Sequence, residues 1–270
     1  MSLLWKRSNK KPVVDSPDLP EAQSLHEESA LTKTLHSVIS DACKCADTGL
    51  WNAYARSVGS QPSGSDAGRL VFPKYRGKGL RVSEQEARFA FVEALAKGPL
   101  RYSVETPTSK RYSFSGKTPL SAQTDLQLHD ESEIGICNVE FKAKGVSSSA
   151  RDNFSIYKDV QKLMREPVWG LWFHLLEGID NSTISKFLDV MIEQIVKVNR
   201  DFASDVETPG LTIHICTLRH GFSLHKDLSF PLDGVINIAE LVRQLSVDLQ
   251  VSRYELIEAR SLNGWALHRQ

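Results

Sequence analysis

IGICNVEFKA, residues 134–143, is the stretch on which the reading of the fold turns. It is apolar and β-branched enough for a central strand. Yet it carries an acid and a lysine two positions apart, Glu140 and Lys142. Side chains alternate on a strand, so these two share one face while Phe141 points to the other. A buried strand ordinarily excludes Glu and Lys, because unpaired buried charge is costly. The pair therefore reads either as a functional constellation or as a cross-strand ion pair on an edge strand.

Upstream, SAQTDLQLH (residues 121–129) alternates as a strand, and the polar turn over 130–133 lets the two strands pair. That pairing brings Asp125 toward Glu140 on one face. Two carboxylates so close repel unless a cation lies between them, and oxygen donors suit Mg2+ or Mn2+. LRYSVET (100–106) reads as a further strand, with a hairpin through Pro107 to Lys110 into 111–115. Ser83 followed by Glu86 fits a capping box opening a helix from about Glu84 to Ala96.

Downstream, Ile156, Val160, Leu163 and Met164 fall at helical spacing in a helix over 150–165, which Glu166-Pro167 stops. VWGLWFHLL (168–176) is a buried strand, its Trp and Phe residues core rather than a stacking platform. A long amphipathic helix over 182–202, a strand over 211–218, a helix over 236–249 and a strand over 254–259 complete the chain. From 83 to 176 the order is helix, three strands, helix, strand. This predicts an α/β fold, a central mixed sheet flanked by helices. Residues 1–65 form an N-terminal arm and helices (23–46 and 50–58), 66–205 the α/β core, and 206–270 a C-terminal strand-helix-strand extension packed on it.

Lys plus Arg and Asp plus Glu both number 33 in 270 residues, which excludes a uniformly basic coat for nucleic acid but not a local basic surface. The segment from Ala67 to Ser83 concentrates Arg69, Lys74, Arg76, Lys78 and Arg81 with no acid. It reads equally as a solvated connector or a phosphate-contacting loop. No apolar run is long enough for a membrane span, and no secretory signal is expected. Four cysteines do not make a disulfide framework and point to free thiols in a reducing cytoplasm. A metal reading of Cys43 and Cys45 would need a second ligand pair nearby, and the sequence offers none. His174 and His214 fall in strands, and His220 and His225 near a loop. No H-E-x-x-H, G-x-S-x-G, Walker A or G-x-G-x-x-G motif occurs.

The helix-strand-strand-strand-helix-strand order, with Asp125 on one strand and Glu140-Phe141-Lys142 on the next, resembles the PD-(D/E)XK nuclease superfamily, the restriction-endonuclease-like fold. The resemblance covers about a third of the chain, Ser83 to Leu176. Thr124 stands where the family has proline before the acid. The resemblance implies an Mg2+- or Mn2+-dependent phosphodiesterase, a nuclease with DNA the favoured substrate. It implies Asp125, Glu140 and the Phe141 carbonyl as metal ligands and Lys142 as the group that orients water and stabilises charge. The family's first-helix glutamate falls on Glu86, with Glu93 in reserve. Tyr157, Lys158, Gln161 and Lys162 are candidates on the second helix, Lys158 and Lys162 sharing a face. Lys74, Arg76, Lys78, Arg81, Lys110, Arg111 and Lys158 would hold the nucleic-acid backbone. The rival readings are a non-cleaving binding module of the same fold and an interaction protein whose long helices form a homodimer seam.

Overall fold

A computed structural model describes residues 21–60, 69–74, 79–113, 118–143, 150–231 and 236–270, with backbone alone for 21–33 and 150–154. Arg76 and Lys78, expected on the basic loop, lie outside the described residues. The chain divides into two compact units, residues 1–37 and 38–270. In order come α1 (Glu21–Val58), α2 (Glu84–Leu95), β1 (Arg101–Tyr112), β2 (Leu120–His129), β3 (Gly135–Lys142), α3 (Ala150–Arg165), β4 (Trp169–Leu176), α4 (Asn181–Phe202), β5 (Gly210–Thr217), β6 (Phe222–Ser229), α5 (Ile238–Leu245), β7 (Asp248–Val251), β8 (Leu256–Ser261) and β9 (Ala266–Arg269).

Seven strands form one sheet in the order β1-β2-β3-β4-β5-β6-β9, and β7 pairs with β8 apart from it. The pairs β1-β2 and β2-β3 are antiparallel, β3-β4 and β4-β5 parallel, β5-β6 and β6-β9 antiparallel. The two parallel steps are crossovers through α3 and α4, as parallel pairing requires. The α/β class with a mixed, helix-flanked sheet is thus present. Within residues 206–270, β5, β6 and β9 extend the same sheet while β7 and β8 pair apart from it, so this region holds five strands and a helix where strand-helix-strand was expected.

Alternation along β3 and β4 makes two cores. On one face Phe141, Phe173 and Phe91 of α2 meet edge to face or tilted, with centroids 5.7–5.9 Å apart. On the other, Trp172, Ile213 and Leu224 pack against Val160, Leu163, Phe187 and Met191 of α3 and α4. Both faces of β4 are covered, so all eight of its residues are buried and its sequence is a continuous apolar run. Gly210 opens β5 because a Cβ there would lie 2.3 Å from both the Leu228 carbonyl and the Trp169 ring.

Three further expectations are corrected. β1 is one strand, where a hairpin at Pro107 was expected. Pro107 pairs with Gln123 and the register shifts between Pro107 and Arg111, which an edge strand tolerates because one side of it needs no N–H donor. Glu105, at φ 50°, accompanies this irregularity. α1 runs unbroken to Val58, where two helices were expected. His225 lies within β6, not near a loop.

The start of α4 gives a pH prediction. Asp180 accepts from the hydroxyls of Ser182 and Thr183 and from both their amides at 2.8–2.9 Å. These bonds hold its carboxyl at about 2, below its ordinary 3.8. A depressed carboxylate contributes stability above its unfolded pKa and loses it as pH falls through the folded value. Asp180→Asn, a neutral cap, should melt below wild type at neutral pH, with the gap closing as the pH of the thermal scan falls from 3.8 toward 2. A gap that persists unchanged at low pH would refute this account of the cap.

Candidate active site

Residue pairing between β2 and β3 fixes the site. Leu126 opposes Val139, and there the register ends, so Asp125 and Glu140 are the next facing positions and share a side of the sheet. Past this point Asp125 itself serves the ladder: its Oδ2 accepts the Phe141 N–H at 2.9 Å. Its Oδ1 receives Arg88 of α2 at 2.7 Å. Phe141 is pinned into the aromatic core on the opposite face. Glu140 and Lys142 therefore turn toward α3, as the period-2 reading required.

α3 answers with Asp159 and Lys162, three residues apart and so on one helix face. Lys162 Nζ lies 2.6 Å from Glu140 Oε1 and 3.0 Å from Asp159 Oδ1, and also donates to the Gln123 carbonyl at 3.0 Å. Lys142 Nζ lies 2.7 Å from Asp159 Oδ2 and 3.5 Å from Glu84 Oε1. Glu84, Asp125, Glu140 and Asp159 thus face Arg88, Lys142 and Lys162, and the one formal negative charge left over is balanced either by a proton on Glu140 or by a bound cation.

Burial sets the electrostatics. Glu140 is 1% exposed. Burial first, and Asp159 next, push its carboxyl well above the usual range, against the pull of Lys162. Burial alone would lower the Lys142 ammonium, but Asp159 and Glu84 more than offset it and hold the group firmly protonated. Lys162 is raised in the same way by Glu140 and Asp159. Glu140 Oε1 and Asp159 Oδ2 are fully buried, and each is met by one lysine ammonium, Lys162 at 2.6 Å and Lys142 at 2.7 Å. A carboxylate oxygen with a single ammonium neighbour keeps a second lone pair that a hard cation can use. Among the described residues no three carboxylates of this cluster close to within 4.8 Å of one another. A cation here would be held by two side chains and a backbone oxygen rather than by a three-acid cage.

A cavity of about 490 Å³ opens beside the cluster, with Lys158, Asp159, Lys162 and Gln123 in its wall. A larger one, about 690 Å³, lies beyond the carboxyl ends of β3 and β4 and is lined by Arg81, Arg219 and Arg253 among others. Its lining includes neither Asp125 nor Glu140. The smaller cavity adjoins the cluster through Asp159 and Lys162, the partners of Lys142 and Glu140; Asp125, Glu140 and Lys142 themselves do not line it.

The structure brings Asp125, Glu140 and Lys142 together, but not every expected residue. Glu86 does close the capping box: Ser83 N–H and hydroxyl donate to its Oε2 and Arg81 to its Oε1. It is thereby committed to its own helix start. The acid of α2 that reaches Lys142 is Glu84. Glu93 is exposed beside Cys45 and Lys97, in a separate depression. Lys110 pairs with Glu207, Arg81 with Glu86, and Lys74 forms an isolated bridge with Leu80. Arg111 is exposed on β1, and Lys158 stands at the cavity. Sequence reasoning missed Glu84, Arg88 and Asp159. Asp159 could have been found from its i,i+3 spacing to Lys162. No protein-family model, no curated protein and no solved structure matches the chain.

Proposed function

We propose that the protein is a divalent-metal-dependent phosphodiesterase acting on nucleic acid, DNA by preference, with a restriction-endonuclease-like core. The observation that carries this reading is the meeting of Asp125, Glu140 and Lys142 on one side of the sheet, where β2 and β3 part beside an open cavity. The donor set fits the metal: it is all oxygen, carries carboxylates, and includes the buried Glu140 oxygen. Asp125, Glu140 and the Phe141 carbonyl would hold Mg2+ or Mn2+. The ion, when bound, supplies polarisation of the scissile phosphate and a lowered pKa for attacking water.

The chain's own residues do the rest. Lys142 orients the water and donates to the phosphoryl oxygens as negative charge builds on them. Asp159 keeps Lys142 protonated and aimed. Lys158 meets the backbone phosphates at the mouth of the cavity.

A second reading, a non-cleaving binding module, draws on the internal pairing of the cluster. Lys162 with Glu140, Lys142 with Asp159 and Arg88 with Asp125 could serve structure alone. The two part company in a melting experiment with a cleavage assay beside it. Mn2+ at a hundredfold excess over its dissociation constant should stabilise the folded chain by about 2.7 kcal/mol, a rise in Tm of roughly 5–10 °C. Asp125→Asn should abolish that rise. A Tm indifferent to Mn2+ and Mg2+, with no cleavage of plasmid, linear or single-stranded DNA, would leave the binding module standing.

A further inference from the structure

On the opposite face of the sheet, α1 lies against β5 and β6 with a second polar cluster. Cys43 and Asp47 are four apart in α1 and share a helix face. His214 and His225 are directly paired across β5 and β6, so their rings lie on the same side. Cys43, Asp47 and His214 are fully buried and His225 nearly so. The two Nδ1 atoms face each other at 3.3 Å, and the Cys43 Sγ lies within 4.8 Å of a nitrogen of each ring.

Hydrogen-bond accounting leaves this cluster incomplete. Asp47 Oδ1 lies 2.9 Å from His214 Nε2, and its Oδ2 accepts the Ser223 hydroxyl at 2.5 Å. A carboxylate only accepts, so His214 carries its proton on Nε2 and presents a lone pair at Nδ1. His225 Nε2 lies 3.5 Å from Asp227 Oδ1, another acceptor, at the outer limit of a hydrogen bond. If His225 also carries its proton at Nε2, toward Asp227, two Nδ1 lone pairs point at each other with a thiol beside them. If it carries the proton at Nδ1 instead, its Nε2 lone pair confronts a carboxylate. Neither neutral tautomer closes the set.

A metal ion does close it. A tetrahedral ion with bonds of about 2.0–2.1 Å to imidazole nitrogen sets two such ligands roughly 3.3–3.4 Å apart, the separation found here. A second proton on His225 would also satisfy the rings, but it would give the Cys43 thiol no role. We propose that Cys43, His214 and His225 bind one borderline-soft divalent cation, Zn2+ by this donor set, and that Asp47 orients His214 from behind. An acid fixing the far nitrogen of a ligating imidazole is the usual outer support of such sites. The sequence reading of Cys43 lacked a second ligand pair nearby. The fold supplies it from two paired strands, with His214 167 residues beyond Asp47. The ion would tie α1 to the sheet, independently of the phosphodiesterase reading.

The test uses the full chain, stripped with chelator and reconstituted with Zn2+ or Co2+. One equivalent of zinc per chain is expected by elemental analysis. The cobalt form should show a thiolate-to-metal charge-transfer band with the visible bands of tetrahedral Co2+. Cys43→Ser should lose the charge-transfer band, and Asp47→Asn should weaken zinc binding roughly 10–100-fold. Cys45→Ser and Asp125→Asn should bind as wild type does. The cobalt spectrum of the unaltered chain guards against variants that fail to fold. Absence of that band in wild type, or a stoichiometric site that survives Cys43→Ser with the band intact, overturns the proposal.

Discussion

Lys142→Ala is expected to slow Mg2+-dependent phosphodiester cleavage on the order of 10²–10³-fold, the loss typical of one preorganised charge-stabilising donor, and Asp125→Asn, which removes a metal ligand, is expected to lose cleavage as well. The two variants should fail differently. Lys142 is not a metal ligand in this account, so Lys142→Ala should keep the Mn2+-induced rise in Tm while losing rate. Asp125→Asn should lose both. Removing Lys142 also takes the partner from Asp159 Oδ2 and leaves that carboxylate paired only through Oδ1 with Lys162, which costs roughly 1–3 kcal/mol. Circular dichroism at the assay temperature separates that loss from a loss of chemistry. Lys142→Arg should recover little, because a planar fork does not reproduce a compact ammonium. Full activity in Lys142→Ala would remove the group on which charge stabilisation rests.

Glu166→Ala is expected to destabilise the fold by about 3 kcal/mol, lowering Tm by roughly 6–12 °C. Glu166 follows α3 and is 4% exposed. Its carboxylate accepts the Ser109 and Lys110 amides at 2.9 and 3.1 Å and the Tyr112 hydroxyl at 2.8 Å. The two amides lie inside the register shift of β1, between its pairings at Pro107 and Arg111. Burial and Glu166 together push the Tyr112 hydroxyl upward, and Arg165 lies between the Tyr112 and Phe202 rings at 4.8 and 4.5 Å. This anchor fixes β1 on the end of α3 and so shapes the cavity wall at Pro107 and Gln123. Glu166→Gln, which keeps an acceptor without the charge, should lose about a third as much. Urea unfolding measures both, and a loss under 1 kcal/mol for Glu166→Ala would refute the anchor.

The parts of the fold legible in the sequence are those where burial and periodicity agree. β4 reads as apolar throughout because helices cover both its faces. β3 reads as a strand with two misplaced charges, and those charges belong to the cluster. Period 2 was enough to place Glu140 and Lys142 together, and the short turn before β3 was enough to bring Asp125 opposite. Most of the misses share a physical cause, polar residues buried with partners far along the chain. β6, FSLHKDLS, lacks an apolar signal because Ser223 and His225 are buried in the Asp47 cluster. The two expected helices, 23–46 and 50–58, leave a gap at 47–49, but there Asp47 is held by His214 and Ser223, and the Thr48 hydroxyl donates back to the Lys44 carbonyl at 3.0 Å. Asp159 carried no signal in the sequence because the Lys142 it pairs with sits on β3. Pro107 passed for a turn because nothing local marks β1 as an edge.

The most direct test is anomalous diffraction from crystals grown with Mn2+. A manganese peak contacting the Asp125 and Glu140 carboxylates, with the Lys142 ammonium beside it, is the predicted result. Fully occupied manganese elsewhere, with those two carboxylates still held by Arg88 and Lys162 and no density between them, would contradict the phosphodiesterase account.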